Sequence, residues 1–297
     1  MAFRPRRSLV ARLLRWLLGL ILIFLLGSTA WVFAYRYVDP PITFTQMGDL
    51  IEGHGARRAW MPIERISRNM IRAVIAGEDS KFCSHDGFDQ QAIEAAMRRN
   101  AAGGHTLRGG STISQQTAKN AFLWQGGGYF RKGLEAWFTL LIETLWSKQR
   151  IMEVYLNVAE TGIGTYGVNA GAERYFGHDA SNLSTTEAAR IAAVFPRPKR
   201  RAAVDPRGFT RRYGNMISAR MGVVRRDGLD ACVYAGAPAS PGADRPEPRA
   251  PARPRLQAPR QAPQPLPGEE FEKPAAVVPA APAPAETPPP PVEANGL

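Results

Sequence analysis

The chain has 297 residues, 38 Lys and Arg against 26 Asp and Glu, and a formal net charge of +12. That length holds one sizeable domain plus extensions, and the charge points to anionic partners, among which nucleic acid must be weighed. Two cysteines, Cys83 and Cys232, are too few for a disulfide framework or a cysteine-built metal site. An oxidising compartment would allow them to pair, but nothing in the sequence brings them together, and both are read as unpaired.

Residues 16–35, WLLGLILIFLLGSTAWVFAY, carry no charge, and a helix of this length spans the roughly 30 Å hydrocarbon core of a bilayer. Arg4, Arg6, Arg7, Arg12 and Arg15 precede the segment and only Arg36 follows closely. The basic tail 1–15 should therefore stay in the cytoplasm and the rest lie outside. A cleaved signal peptide is the competing reading, but the apolar run is longer than a signal core and VFA at 32–34 is an imperfect cleavage site. An exported, anchored domain meets anionic lipid headgroups or a phosphate-bearing substrate sooner than nucleic acid.

After a linker at 36–59, residues 60–235 read as helical almost throughout. Ile63, Ile66, Met70, Ile71, Val74 and Ile75 recur at helical spacing, with Pro62 suited to the first turn and the helix ending near Glu78. GGSTISQQTAKNAF places Ser111 to cap a helix from Thr112. RKGLEAWFTLLIETLWSK and QRIMEVYLNVAE follow, the first with Leu134, Trp137, Phe138, Leu141 and Leu145 along one side. Ser184 and Glu187 have capping-box spacing, and Pro196 and Pro198 stop the helix they open. No alternating strand pattern of useful length occurs, so the domain is predicted to be mainly α. Residues 236–297 are rich in Pro and Ala and cannot bury enough apolar surface to offset their ordering entropy.

AGEDSKFCSHDGFD ends the first helix with Glu78, Asp79, Lys81, His85, Asp86 and Asp89 close together. A solvated loop is the plain reading; ionisable groups beside an apolar helix end also make catalytic sites. Glu78 can face a cleft as a base. Glu135, crowded by Leu134, Trp137 and Phe138, either pairs with Arg131 on a solvated helix face or serves the same cleft. Ser111, Thr112, Gln115, Gln116 and Lys119 stand at a helix start that favours an anion. An ordinary capped polar helix would look similar, but it leaves the Gln pair and Lys119 unexplained.

EDSKFCSHDGFD, GGSTISQQTAKN, RKGLE and SKQRIMEVYLNVAETGIGTYGV resemble, in order and spacing, the signature blocks of the peptidoglycan glycosyltransferases, glycosyltransferase family 51. The resemblance covers about residues 60–200 and is to the monofunctional, membrane-anchored biosynthetic type. It implies a lysozyme-like, mainly α domain with a small membrane-facing lobe, behind one transmembrane helix. Lipid II would be polymerised into β-1,4 glycan at the inner membrane, with the catalytic domain in the periplasm and undecaprenyl pyrophosphate released. Glu78 matches the general base and Glu135 the second essential carboxylate. Lys119, Arg131 and Lys132 would offset pyrophosphate charge, and Ser111, Thr112, Gln115 and Gln116 would orient substrate. Asp79 and His85 would support Glu78. Mg2+ or another divalent metal would bind largely through the pyrophosphate. The implied partners are lipid II, the nascent glycan, the membrane and other cell-wall synthases, with no nucleic acid.

One departure is Gly127, eight positions before Glu135, where many members of the resembled family carry an Arg that helps hold a phosphate; either another cation such as Arg131 or Lys132 substitutes, or donor binding is weaker. The glycines at 126–128, flanked by Phe122, Leu123, Trp124, Tyr129 and Phe130, suggest a segment that dips into the lipid interface. Two other functions stay open: a wall-cleaving lysozyme-like hydrolase or lytic transglycosylase, and an idle wall-binding module. The first would consume finished glycan, and the second would be indifferent to loss of Glu78 or Glu135.

Overall fold

The computed structural model describes residues 9–101 and 110–234. Arg4, Arg6, Arg7 and the Pro-rich segment 236–297 lie outside the described residues. The described chain is mainly α. Its helices are α1 (Leu9–Tyr35), α2 (Phe44–Ile51), α3 (Arg68–Glu78), α4 (Gln90–Ala101), α5 (Ile113–Phe122), α6 (Gly128–Leu145), α7 (Lys148–Val158), α8 (Val168–Phe176), α9 (Thr185–Val194) and α10 (Gly208–Arg226).

The core forms where helices are apolar on more than one side. In α3 every residue from Met70 to Ala76 is buried, and α7 buries Ile151, Met152 and the run Val154–Val158. Around them pack α5, α9 and α10. The helix ending at Glu78 begins later than the sequence suggests: Pro62 precedes a separate 3-10 turn, Ile63–Arg65, and Ser67 caps α3 by accepting the N–H of Asn69. Likewise Thr112, rather than Ser111, caps α5, because Gln115 at the third helical position completes a capping box only with Thr112.

Three short strands, β1 (Arg57–Arg58), β2 (Glu160–Gly162) and β3 (Thr165–Tyr166), form a small sheet in the order β1-β3-β2. β1 runs parallel to β3 with Arg57 opposite Thr165, and β2 antiparallel with Glu160 opposite Tyr166. Strands of two and three residues are too short for an alternating pattern to register.

The stretch 36–59, expected as a linker, carries α2 and β1 and packs on the domain. α1 is long and apolar enough to cross a membrane, and its last turns are built into the domain. Val32 is fully buried, and its carbonyl accepts the indole N–H of Trp146 at 2.8 Å. Trp137 donates to Ser28 at 3.0 Å. Trp31 meets Phe44, Phe122 and Phe138 edge-on. Beyond the helix end, Arg150 donates to the carbonyls of Tyr35 and Val38 and pairs with Asp39 at 3.0 Å, satisfying groups that a helix C-terminus leaves open.

A disulfide joins Cys83 to Cys232, correcting the expectation that both are unpaired. A sequence separation of 149 hides the pairing from the sequence. Packing brings together two 3-10 turns, Phe82–Ser84 after α3 and Ala231–Val233 after α10. Beside the disulfide a buried Arg72–Asp230 ion pair closes at 2.9 Å, and the Arg68 guanidinium lies 4.1 Å from the centre of the Tyr234 ring.

Candidate active site

Glu78 is the last residue of α3. α10 fixes it there: the Tyr213 hydroxyl donates to the Gly77 carbonyl at 2.7 Å, and a Cβ on Gly77 would stand 3.0 Å from Cδ1 of Ile217. One carboxylate oxygen of Glu78 accepts from the Gln116 amide at 2.9 Å; the other, Oε1, is shut away from solvent without a partner. Burial pushes the Glu78 carboxyl above its ordinary range, opposed by the Gln116 hydrogen bond and by the charges of Arg201 and Lys119. A carboxylate that is half satisfied and costly to ionise is poised to take up a proton.

The next residue is held by different means. Asp79 accepts the backbone N–H of Ile113 at 3.0 Å, so the end of α3 is tied to the start of α5. His85 lies 3.0 Å from Asp79, and its Nδ1 accepts the Gly87 N–H at 3.1 Å, which leaves the ring proton on Nε2, facing Asp79. Asp79 and His85 are thus in contact with each other, while neither is hydrogen-bonded to Glu78. Of the predicted substrate residues, Gln116 and Lys119 face a shared cavity. Thr112 and Gln115 do not: each is buried and spends its side chain in the α5 capping box, and the Thr112 hydroxyl also donates to the Gly87 carbonyl. Ser111 is exposed at the mouth of that turn.

Glu135 pairs with Arg131 at 2.7 Å and with Lys132 one turn away. The ion pair exists, but on a buried rather than a solvated face, for Glu135 is only 3 % exposed. Burial lowers the Lys119 ammonium below its ordinary range; Glu135 counters this, and Arg131 and Lys132 add to it. Lys119 therefore lies in the fields of both glutamates, with no ion pair of its own among the described residues. Gly127 has φ +84°, and a Cβ there would come within 2.8 Å of the Arg131 Cβ. Arg131 caps the same turn through the Gly126 carbonyl.

The cavity, about 720 Å3, runs from Gln116, Lys119 and Tyr155 to a second polar group that the sequence did not single out: Asp49, Glu160, Tyr166 and Lys199. Lys199 donates to Asp49 at 2.6 Å and Tyr166 does so at 2.6 Å. Burial raises the Glu160 carboxyl to about 7, partly offset by Lys199, and its Oε1 is buried without a partner. Arg201 also escaped the sequence reading; the cluster PRPKRR at 196–201 was its only signal.

Among the described residues one trio, Asp49, Glu52 and His54, offers ligand atoms within 4.8 Å of one another. Asp49 is already engaged by Lys199 and Tyr166, and the oxygens of Glu135 and Asp79 are taken by cations, His85 and an N–H. These residues do not fit a resident divalent ion beside Glu78.

A carboxylate at a helix end, hydrogen-bonded to the Gln116 amide that lines a cavity together with Lys119, Arg197 and Arg200, suits an enzyme that deprotonates a hydroxyl and draws off an anionic leaving group. Residues 45–222 match the transglycosylase family. The chain is 48% identical over 225 residues, 75% of its length and 98% of the relative's, to a biosynthetic peptidoglycan transglycosylase of Caulobacter vibrioides. It is 48% identical to one of Rhodospirillum centenum, over 76% and 98% of the two lengths, and 49% identical to one of Xanthomonas campestris, over 70% and 86%. The chain belongs to the transglycosylase family, glycosyltransferase family 51, whose signature blocks its sequence resembles.

Proposed function

We propose that this peptidoglycan transglycosylase polymerises lipid II into β-1,4-linked glycan and releases undecaprenyl pyrophosphate. The observation that carries the reading is Glu78, a carboxylate with one oxygen unpartnered, within the field of Lys119. Glu78 takes the proton from the acceptor's 4-hydroxyl as that oxygen attacks C1 of the donor sugar. One displacement at an α-linked carbon inverts it and gives the β linkage without a covalent intermediate. Lys119, Arg131 and Lys132 receive the charge that develops on the departing pyrophosphate. Glu135 holds Arg131 and Lys132 in place. A divalent ion, where one takes part, travels with the pyrophosphate, and no step here depends on it.

α1 anchors the chain in the inner membrane with its N-terminus in the cytoplasm, and the domain works in the periplasm. The Cys83–Cys232 disulfide supports an oxidising location. The test is Glu78→Gln, which keeps size and hydrogen bonding but cannot accept the proton. Lipid II polymerisation should fall by about 10²–10⁴, while lipid II binding persists and finished glycan is left uncut by either protein. Polymerisation at the wild-type rate would overturn the mechanism, and cleavage of finished glycan would favour the hydrolase.

A further inference from the structure

α2 is inside out for a helix on a water-soluble surface. Its polar residues Gln46 and Asp49, three apart, are 1 % and 2 % exposed, whereas Phe44, Met47, Leu50 and Ile51 line the outer face, with Ile51 82 % exposed. A helix against water does the reverse, because apolar burial stabilises the fold and polar burial costs unless every group is paired. Here the inward polar face is held chiefly through Asp49, which accepts from Tyr166 of β3 and Lys199 beyond α9, and the Tyr166 hydroxyl also lies 3.3 Å from the Thr45 carbonyl; Gln46 keeps its oxygen in the helix cap, while its Nε2 is buried without a partner. The helix start is fixed by a capping box between Thr43 and Gln46. α2 is therefore held in an orientation that presents its apolar face outward.

What covers that face is indicated by the chain itself. α1, the helix long and apolar enough to cross a membrane, ends at Tyr35, and α2 begins at Phe44. Phe44 stands edge-on to Trp31 of α1, with ring centres 6.4 Å apart. The apolar face thus continues the lipid-facing surface of the anchor. The same helix forms one wall of the cavity, through Phe44, Thr45, Gly48, Asp49 and Glu52, opposite Gln116 and Lys119.

We propose that α2 lies in the membrane interface, its apolar face in the lipid of the leaflet from which α1 emerges, and forms the lipid-side wall of the active-site cavity. Resting on the function proposed above, a polyprenyl-linked headgroup then reaches Lys119 past α2 while its lipid tail stays in the bilayer. The outward residues Leu50 and Ile51 set how readily substrate passes from the membrane plane.

The test uses the full chain in phosphatidylethanolamine–phosphatidylglycerol vesicles. Because Cys83 and Cys232 are joined, Ile51→Cys supplies a single reactive thiol for an environment-sensitive fluorophore, and Ser181→Cys, exposed on the turn before α9, supplies a comparison. The label at 51 should be blue-shifted and quenched by lipids bearing a nitroxide near the headgroup, and the label at 181 should not. A label at 51 as wet and unquenched as that at 181 overturns the placement, whatever reaction the enzyme performs. Leu50→Gln with Ile51→Gln should keep the wild-type melting temperature and raise KM for vesicle-borne lipid II at unchanged kcat. An unchanged KM overturns the access route. Quenching at 51 in the labelled Ile51→Cys chain, together with a wild-type chain that makes no glycan, would leave the placement standing and remove the proposed function alone.

Discussion

At Glu160 burial holds a carboxyl at about 7 instead of 4.5, which ties stability to pH with a definite sign. Below about 4.5 the group is protonated in both the folded and unfolded chain, and its neutral form is accommodated. As pH rises towards 7 the unfolded chain releases the proton first, so stability falls and the loss is complete once the folded group ionises. Glu160→Gln removes the group's titration, so its melting temperature should decline less than that of the wild type between about pH 4.5 and 8; parallel declines would mean that Glu160 titrates normally. Lys119 makes the complementary case. Its charge lowers the Glu78 carboxyl against the larger effect of burial, so Lys119→Met should move the acidic limb of the pH–rate profile upward while Lys119→Arg leaves it nearly in place. An unmoved limb in Lys119→Met would separate the ammonium from the base.

Among the elements, the junction of α1 with the domain turns on one side chain. Arg150 of α7 gathers the carbonyls of Tyr35 and Val38 and the Asp39 carboxylate. Charge-assisted bonds of this kind contribute about 1–3 kcal/mol. Arg150→Met should therefore speed amide exchange at residues 35–39 roughly five- to hundredfold, read by mass spectrometry, with α3 unaffected; unchanged protection would show that the aromatic contacts of Trp31 suffice alone. The helices that carry the core were legible because their apolar residues recur on a face and their caps are local, as with Ser184 and Glu187. α2 left a readable trace too, in Thr43 and Gln46 at capping-box spacing, but its inverted polarity makes sense only once its surroundings are known. Of the residues expected to dip into lipid, Trp124, Tyr129 and Phe130 are exposed, whereas Phe122 and Leu123 belong to the core, since a run of aromatics does not say which of them the fold will enclose. In the site, Glu78, Gln116, Lys119 and Glu135 stood in recognisable blocks. Arg201 and Lys199 come from a stretch with no motif, and Glu160, though inside the fourth block, was not singled out; only the packing of α2, α9 and the small sheet shows where they stand. Thr112 and Gln115 spend their side chains in the α5 cap, for a polar side chain at a helix start serves the backbone before it serves a ligand.

For the molecule as a whole, the disulfide closes nearly the entire domain, from the turn after Glu78 to the turn after α10. Crosslinks over long loops contribute about 2–5 kcal/mol. Cys83→Ser with Cys232→Ser should lower the melting temperature accordingly, and a thiol reductant should bring the wild type down to the double variant without affecting the variant itself. A wild type indifferent to reductant would show that the Arg72–Asp230 pair and the Arg68–Tyr234 contact hold the junction unaided. The same staple also determines how the molecule responds to being pulled. The sequence continues past Tyr234, two residues beyond Cys232, so tension applied to that segment cannot peel α10 away from its end. The load crosses the sulfur bridge and falls on the turn at Phe82–Ser84, within a few residues of Glu78. Anything that grips the C-terminal segment would have a covalent handle on the loop that follows the candidate base.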